Sequence, residues 1–295
     1  PNQVAGRRTA RRMTLVAGTF SLTDFFDGNS YSRDPRTQFM NWSIMAAGAW
    51  DFAADTRGYT WGVLTEYAAP KWAVRLAGVM VPTTANGMTM DTNLAKAFSL
   101  NVELERGFAW NGRPGAVRLM LYRNAGNMGS YREAVDDPAM GTDITRTRRY
   151  GRAKYGFGLN WEQAVSAVTG LFARLSWNDG HTETWAFTEI DRSATLGGLV
   201  NGSGWGRSQD RCGAAFVVNG LSGDHRDYLA AGGYGFIIGD GRLRYGLETV
   251  IEAFYSLLVV RGIWISGDYQ FVLNPAYNRD RGPVHVLGVR VHAEL

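Results

Sequence analysis

The sequence predicts an all-β fold, an antiparallel up-and-down β-barrel that spans a membrane. Three observations carry this. Polar and apolar residues alternate with a period of two, the mark of a strand. The connections between such segments are by turns long and very short. The polar faces carry charges of both signs, as a wet lumen allows. In residues 98–105, Phe98, Leu100, Val102 and Leu104 share one face, and Ser99, Asn101, Glu103 and Glu105 share the other. At the C-terminus, Leu287, Val289, Val291, Ala293 and Leu295 lie opposite Gly288, Arg290, His292 and Glu294. A strand buried in a parallel sheet would be apolar on both faces.

The elements follow in order. Strands are expected at 12–22, 59–68, 71–81, 97–107, 115–123, 153–163, 168–177, 190–200, 211–220, 247–259, 262–272 and 284–295. The long connections are 23–58, 82–96, 124–152, 178–189, 221–246 and 273–283. The short ones carry turn chemistry, such as Ala69-Pro70, Asn111-Gly112 and Asn201-Gly202. A membrane meander keeps its long loops on one side and its short turns on the other. A soluble sandwich has no reason to do so. No linker splits the chain, and residues 1–295 read as one domain. Trp61, Val63 and Tyr67 share an apolar face, as do Tyr155, Phe157, Leu159 and Trp161, and rings near strand ends suit interfacial girdles. The opposite faces hold Arg75, Glu103, Glu105, Arg118, Lys154, Glu162, Arg174, Glu252, Asp268, Arg290 and Glu294.

Composition narrows the function. The chain is 45% hydrophobic with a mean hydropathy of −0.20, and no stretch reaches the ~18 apolar residues of a membrane helix. Barrels escape that criterion, because half of each strand faces water. A formal charge of +4 is spread along the chain. Its densest patches, Arg7-Arg8-Thr9-Ala10-Arg11-Arg12 and Arg146-Thr147-Arg148-Arg149, read as solvated turns, and no nucleic-acid motif accompanies them. Cys212, the single cysteine, excludes an internal disulfide and reads as an inert thiol packed in an apolar strand. Gly232-Gly233-Tyr234-Gly235 lacks the lysine of a phosphate loop. Of four histidines, only His181, near Asp179 and Thr182, resembles a fragment of a catalytic triad. No nucleophile elbow accompanies it, so an enzyme is not expected. No zinc-ligand pair and no cofactor site is visible. Glu103 and Glu105 line water more naturally than they form a glycosidase pair.

The segment 23–58 is too long for an ordinary connection and rich in chemistry. Aromatic rings beside acids and arginines suit a sugar, since rings cover the C–H face of a pyranose while carboxylates and guanidinium groups bond its hydroxyls. A short helix is expected near 43–49. Thr23-Asp24-Phe25-Phe26-Asp27, Asp34-Pro35-Arg36-Thr37-Gln38-Phe39-Met40-Asn41-Trp42, Gly48-Ala49-Trp50-Asp51 and Ala54-Asp55-Thr56-Arg57-Gly58-Tyr59-Thr60-Trp61-Gly62 resemble the carbohydrate-selective porins (OprB type) of Gram-negative outer membranes. So do Tyr155-Gly156-Phe157-Gly158-Leu159-Asn160, Ser176-Trp177-Asn178-Asp179-Gly180 and Asn274-Pro275-Ala276-Tyr277-Asn278-Arg279-Asp280-Arg281-Gly282-Pro283. These motifs run through nearly the whole chain in order.

The resemblance implies a sixteen-stranded porin barrel in the outer membrane that passes monosaccharides, with the 23–58 loop folded inward as the constriction. Twelve strands are read here, so four N-terminal strands are expected to be missing and the chain, which opens on Pro1, to be a fragment. Leu295 stands where such proteins usually end in an aromatic residue. Arg33, Asp34, Arg36, Asp51 and Arg57 are the candidate polar lining, Trp42 and Trp50 the stacking surfaces, and Arg75, Glu103, Glu105 and Arg118 the facing wall. The partners implied are small, glucose-like sugars in transit and outer-membrane lipid, with no nucleic acid. A homotrimer is a candidate assembly that the sequence does not decide. The alternatives are a general ion or solute porin without sugar preference and a soluble β-sandwich carbohydrate-binding module.

Overall fold

The computed structural model describes residues 9–137 and 141–294. Arg7, Arg8 and Leu295 lie outside them. Twelve strands form one sheet in strictly sequential order, and each adjacent pair is antiparallel. They are β1 (Arg12–Phe20), β2 (Thr60–Ala69), β3 (Trp72–Val79), β4 (Phe98–Trp110), β5 (Arg113–Met128), β6 (Arg149–Ala164), β7 (Thr169–Asn178), β8 (Arg192–Asn201), β9 (Arg211–Gly220), β10 (Glu248–Val260), β11 (Ile263–Leu273) and β12 (Val284–Ala293). All twelve expected strands are present. The outermost strands, β1 and β12, each pair on one side only among the described residues. No helix of the described residues is long and apolar enough to cross a membrane, which says nothing of strands.

The two faces of the sheet are inverted relative to a water-soluble protein. Leu104, Leu175 and Val291 are 50%, 52% and 67% exposed, while Glu103 and Arg174 are 0% and 1% exposed. Trp61, Val63, Tyr67, Trp72, Leu76, Tyr155, Phe157 and Ile265 join the exposed apolar face. Such a continuous apolar surface needs a covering, and strands of this pattern are covered by lipid. Cys212 alternates with Gly213 and Ala215 and stands on that outward face, half-buried, instead of being packed inside. Burial across the inner face is supplied by loops.

Turn chemistry fixes the short side. Asn111 and Gly112 have φ of 50° and 74°, the paired positive angles of a two-residue hairpin whose twist matches the strands it joins. β4 and β5 therefore continue right up to the turn. The second basic patch is held in loop ion pairs, Arg148 with Glu183 and Arg149 with Glu133.

Leu104→Arg would place a cation on the exposed apolar face near the middle of β4. If lipid covers that face, the barrel is expected to lose about 2–4 kcal/mol. The same cation at Ala109, exposed on the opposite face of β4, should cost less. Denaturant unfolding in lipid bilayers measures the difference, and equal stability of the two variants would count against a lipid-facing wall.

Candidate functional site

The inner wall is organised by charge. Glu66 is register partner to Arg75, Arg75 to Glu103, and Glu105 to Arg118. Opposite charges directly across a strand pair attract, and here they join into one ladder. Arg12 reaches Glu66 at 3.0 Å, and Arg75 reaches Glu66 at 2.8 Å, Glu103 at 2.6 Å and Glu105 at 2.8 Å. Arg118 continues it to Glu105 at 3.3 Å and Glu162 at 3.4 Å. The ladder spans β1 to β6.

The loop 21–59 lies across this face. A loop held away from bulk water must place its backbone N–H and C=O groups somewhere, and the wall supplies the partners. The Asp27 N–H donates to Glu103 at 2.6 Å, the Ser30 N–H to Glu162 at 2.7 Å, and the N–H groups of Met40 and Asn41 to Glu252 at 2.6 and 2.9 Å. Arg290 donates to the carbonyls of Pro35 and Gln38 at 2.7 and 2.8 Å. The loop thus crosses from β4 to β12.

Its centre is Asp27. That carboxylate accepts from Arg174 Nε at 3.0 Å, Asn160 Nδ2 at 2.6 Å and the Ala47 N–H at 2.8 Å. Arg174 also donates to Ser32 Oγ and to the Ile44 carbonyl. Apolar contacts complete the seam: Phe39 packs edge-on against Phe172 and Phe254. Gly170 leaves room for the Tyr31 ring, which a Cβ there would strike. The expected helix is a single turn, Trp42–Met45, capped by Asn41 accepting from the Ser43 N–H.

A second loop, 179–191, folds onto the first. Asp51 accepts the N–H groups of Trp185 and Ala186 at 2.9 and 2.8 Å and faces Lys154 at 3.3 Å. The Thr188 hydroxyl donates to the Gly48 carbonyl at 2.6 Å. The Phe187 ring stacks on Trp42 with centroids 4.3 Å apart and lies 4.6 Å from Phe52.

The end of that loop holds two carboxyls pushed in opposite directions. Burial raises the pKa of Glu189, whose carboxylate accepts from the N–H groups of Ile237 and Ile238. Burial is the strongest single influence on Asp191 and would raise it as well, but His225 at 3.0 Å, Lys154 and the Ser222 N–H together hold Asp191 below the usual carboxylate range. The signs differ accordingly. For Glu189 the stabilisation is complete below the unfolded value of about 4.3 and is lost as pH rises through its raised folded value. For Asp191 it is present above about 3.9 and is lost as pH falls through its lowered value. Glu189→Gln is therefore expected to slow proteolysis of the 231–247 segment at pH 8, with little gain at pH 4. Equal cleavage of the two proteins at pH 8 would show that ionised Glu189 carries no such cost.

The structure divides the sequence candidates into three groups. Trp50 and Asp51 are each 1% exposed, and Glu103 is fully covered. Trp50 donates its indole N–H to Asn101 at 3.0 Å, so these three hold loop to wall. Arg75, Glu105 and Arg118 belong to the wall ladder. Asp34 with Arg36, and Asp55 with Arg57, form loop pairs at 2.9 and 2.5 Å. Trp42 is 49% exposed. Arg33 donates to the Thr23 carbonyl. Sequence reasoning missed Asp27 and Phe187 as site residues, and left Lys154, Arg174 and Glu252 as wall charges without loop partners. His181 pairs with Asp224 at 2.7 Å, while the Thr182 hydroxyl points to the Met128 sulfur, so the two do not meet.

Two of the cavities that flank the loop adjoin each other. One of about 320 Å³ is lined by Asp24, Arg33, Trp42, Phe52, Tyr59 and Phe187, among others. The other, about 550 Å³, lies along residues 28–38 of the loop. Thr23, Asp24, Arg33 and Met45 line both and so stand between them.

Residues 5–295 match the family described as carbohydrate-selective porin, OprB family. No curated protein sequence matches the chain. Among solved structures, the high-pH structure of Pseudomonas putida OprB is similar with a TM-score of 0.75 at 17% identity, over 95% of this chain and 69% of that one. Its low-pH structure matches at 0.53 and 15% identity, over 95% and 62%. The outer membrane channel DcaP of Acinetobacter baumannii matches at 0.52 and 12% identity, over 94% and 69%. This chain thus spans about two thirds of the length of those proteins, and at these identities the likeness is one of fold.

Proposed function

We propose, since the chain belongs to the OprB family of carbohydrate-selective porins, that it forms an outer-membrane channel for passive, selective diffusion of monosaccharides. The observation that carries this reading is the inner face itself. A loop rich in aromatic rings, acids and arginines is held across a charged wall whose outer side is apolar.

In this proposal the 21–59 loop narrows the lumen and the 179–191 loop braces it. Arg33, Asp34, Arg36, Trp42 and Arg57 face the passing solute. Trp50, Asp51 and Glu103 hold the loop, while Arg75, Glu105 and Arg118 form the wall opposite. Among the described residues β1 and β12 each have one unpaired edge, which would leave backbone groups unsatisfied in lipid. The proposal therefore includes further strands between them, from this polypeptide or another. Passage needs weak binding, because a solute that binds tightly does not leave. An affinity in the millimolar range, about 4 kcal/mol, suits that demand.

Conductance in planar bilayers tests the reading. Added glucose is expected to reduce the ion current through the open channel, with half-saturation at millimolar concentration. An ion current that ignores glucose would favour the general porin.

A further inference from the structure

The two faces of the sheet treat their cations differently. On the inner face Arg75, Arg118, Lys154 and Arg174 each meet a carboxylate. Arg123 does not. It stands on the outer face of β5, between the buried, inward Tyr122 and Asn124, and its register partners Leu100 and Tyr155 are exposed. The outward positions of β5 run Val117, Leu119, Leu121 and then Arg123, so the cation stands where the apolar band ends on the side of the long loops. Its guanidinium lies 5.0 Å from the Phe98 ring centroid and 5.8 Å from that of Tyr155, and its Nε donates to the Tyr155 hydroxyl at 3.3 Å. Just before β4, exposed Lys96 lies over the Tyr150 ring at 5.8 Å. Among the described residues neither cation has a carboxylate partner. The neighbouring acids are engaged elsewhere. Asp91 is 5% exposed and accepts from the Tyr150 hydroxyl and the Asn93 N–H, while Asp179 accepts the N–H groups of Tyr155 and His181.

We propose that Arg123, with Lys96 beside it, binds the phosphate of a phosphorylated glycolipid in the leaflet at the long-loop end of the barrel, the lipopolysaccharide of an outer membrane. This rests on the outer-membrane reading above and is independent of which solute the channel passes. A guanidinium at the edge of hydrocarbon is costly without a counter-ion, and the protein supplies none there. Phosphate is the anion that a lipid headgroup carries at that height. The guanidinium fork can grip it through two N–H groups. The Phe98 and Tyr155 rings hold the cation in place before the lipid arrives. With Nε taken by Tyr155, both Nη atoms are left for the phosphate. The Tyr155 hydroxyl, having accepted from Nε, keeps its own proton to donate to a phosphate oxygen.

Two unpaired cations suit a polyanionic lipid better than a second copy of the same surface, since like charges brought together repel. Arg106 provides the comparison. It stands on the same outer face of β4 nearer the short turns, in register with Trp72 and Val117, and among the described residues no ring or hydrogen bond holds it. It carries the charge of Arg123 without the cradle.

The experiment is titration of the detergent-purified protein with diphosphoryl lipid A, read by native mass spectrometry. Wild type is expected to hold one lipid A. Arg123→Gln should raise the dissociation constant about tenfold, and Arg123→Lys about threefold, because lysine keeps the charge and loses the fork. Arg106→Gln should change it less than about twofold, as a cation outside the site. Affinity unchanged in Arg123→Gln, or weakened as much in Arg106→Gln, would overturn the site. Lipid A displaced by inorganic phosphate at equal concentration would make this a site for free phosphate and overturn the lipid. An oligomer that forms without lipid A and is dispersed by Arg123→Gln would give the face to a second copy instead. The glucose response of the current in Arg123→Gln should match wild type, so failure of the lipid site leaves the channel reading standing. Heat-modifiable migration on gels confirms that each variant is folded before its titration is read, and Arg123→Lys keeps the inference testable should Arg123→Gln not fold.

Discussion

Asp27→Ala is expected to release the 21–59 loop while leaving the wall intact. The Arg174 guanidinium is 1% exposed, and Asp27 is its ion-pair partner at 3.0 Å. Removing one member of a buried pair leaves the other charged, dry and unmatched, which costs about 3–5 kcal/mol. The Ala47 N–H and the Asn160 amide lose the same acceptor. The strands have no such dependence, because their ladders are backbone to backbone. Folding energy should therefore be lost from the loop's attachment and not from the sheet. In planar bilayers this appears as a larger, noisier conductance with weakened glucose dependence, in a protein whose β-signal in circular dichroism is unchanged. Wild-type conductance from Asp27→Ala would mean that the loop is held elsewhere. Arg174→Met in the same background separates the two contributions, since it removes the stranded cation and should recover part of the stability.

The wall was legible in the sequence and the site only in part. Period-two alternation survives wherever one strand face meets lipid, which is why all twelve strands could be placed. It fades where strands rise beyond the apolar band. β5 runs on through Asn124, Gly126 and Asn127 to Met128, and β6 begins at Arg149, in stretches whose residues carry no alternation of that kind. The 21–59 loop announced itself by length and chemistry. Which of its residues would face solute did not. Trp50 and Trp42 look alike in sequence, yet one donates to Asn101 on β4 and is buried, while the other is half open. That outcome depends on partners far along the chain, and local pattern carries no trace of them. Phe187 had a weak signal, the aromatic Trp185-Ala186-Phe187 run inside a long loop. Asp27 had none beyond its place in the Thr23–Asp27 motif.

Asp51 extends the same logic to the second loop. Its carboxylate meets Lys154, which is fully buried, and accepts the backbone N–H groups of Trp185 and Ala186. Asp51→Ala is expected to cost about 3–5 kcal/mol, because the lysine is left unpaired in the seam. It should also let the 179–191 loop drift, and Phe187 with it, so that both loops loosen from a single change. Adding Lys154→Met changes the electrostatics without restoring the backbone acceptors. A buried pair replaced as a whole by apolar side chains is often neutral in stability, so the double variant should regain most of the lost stability. Glucose dependence should stay impaired, since nothing holds the N–H groups of Trp185 and Ala186. Thermal unfolding in detergent reads the first quantity and glucose titration of the current reads the second. Recovery of both together would mean that Asp51 serves only to neutralise Lys154. Recovery of stability alone would make Asp51 the residue that positions Phe187 against Trp42.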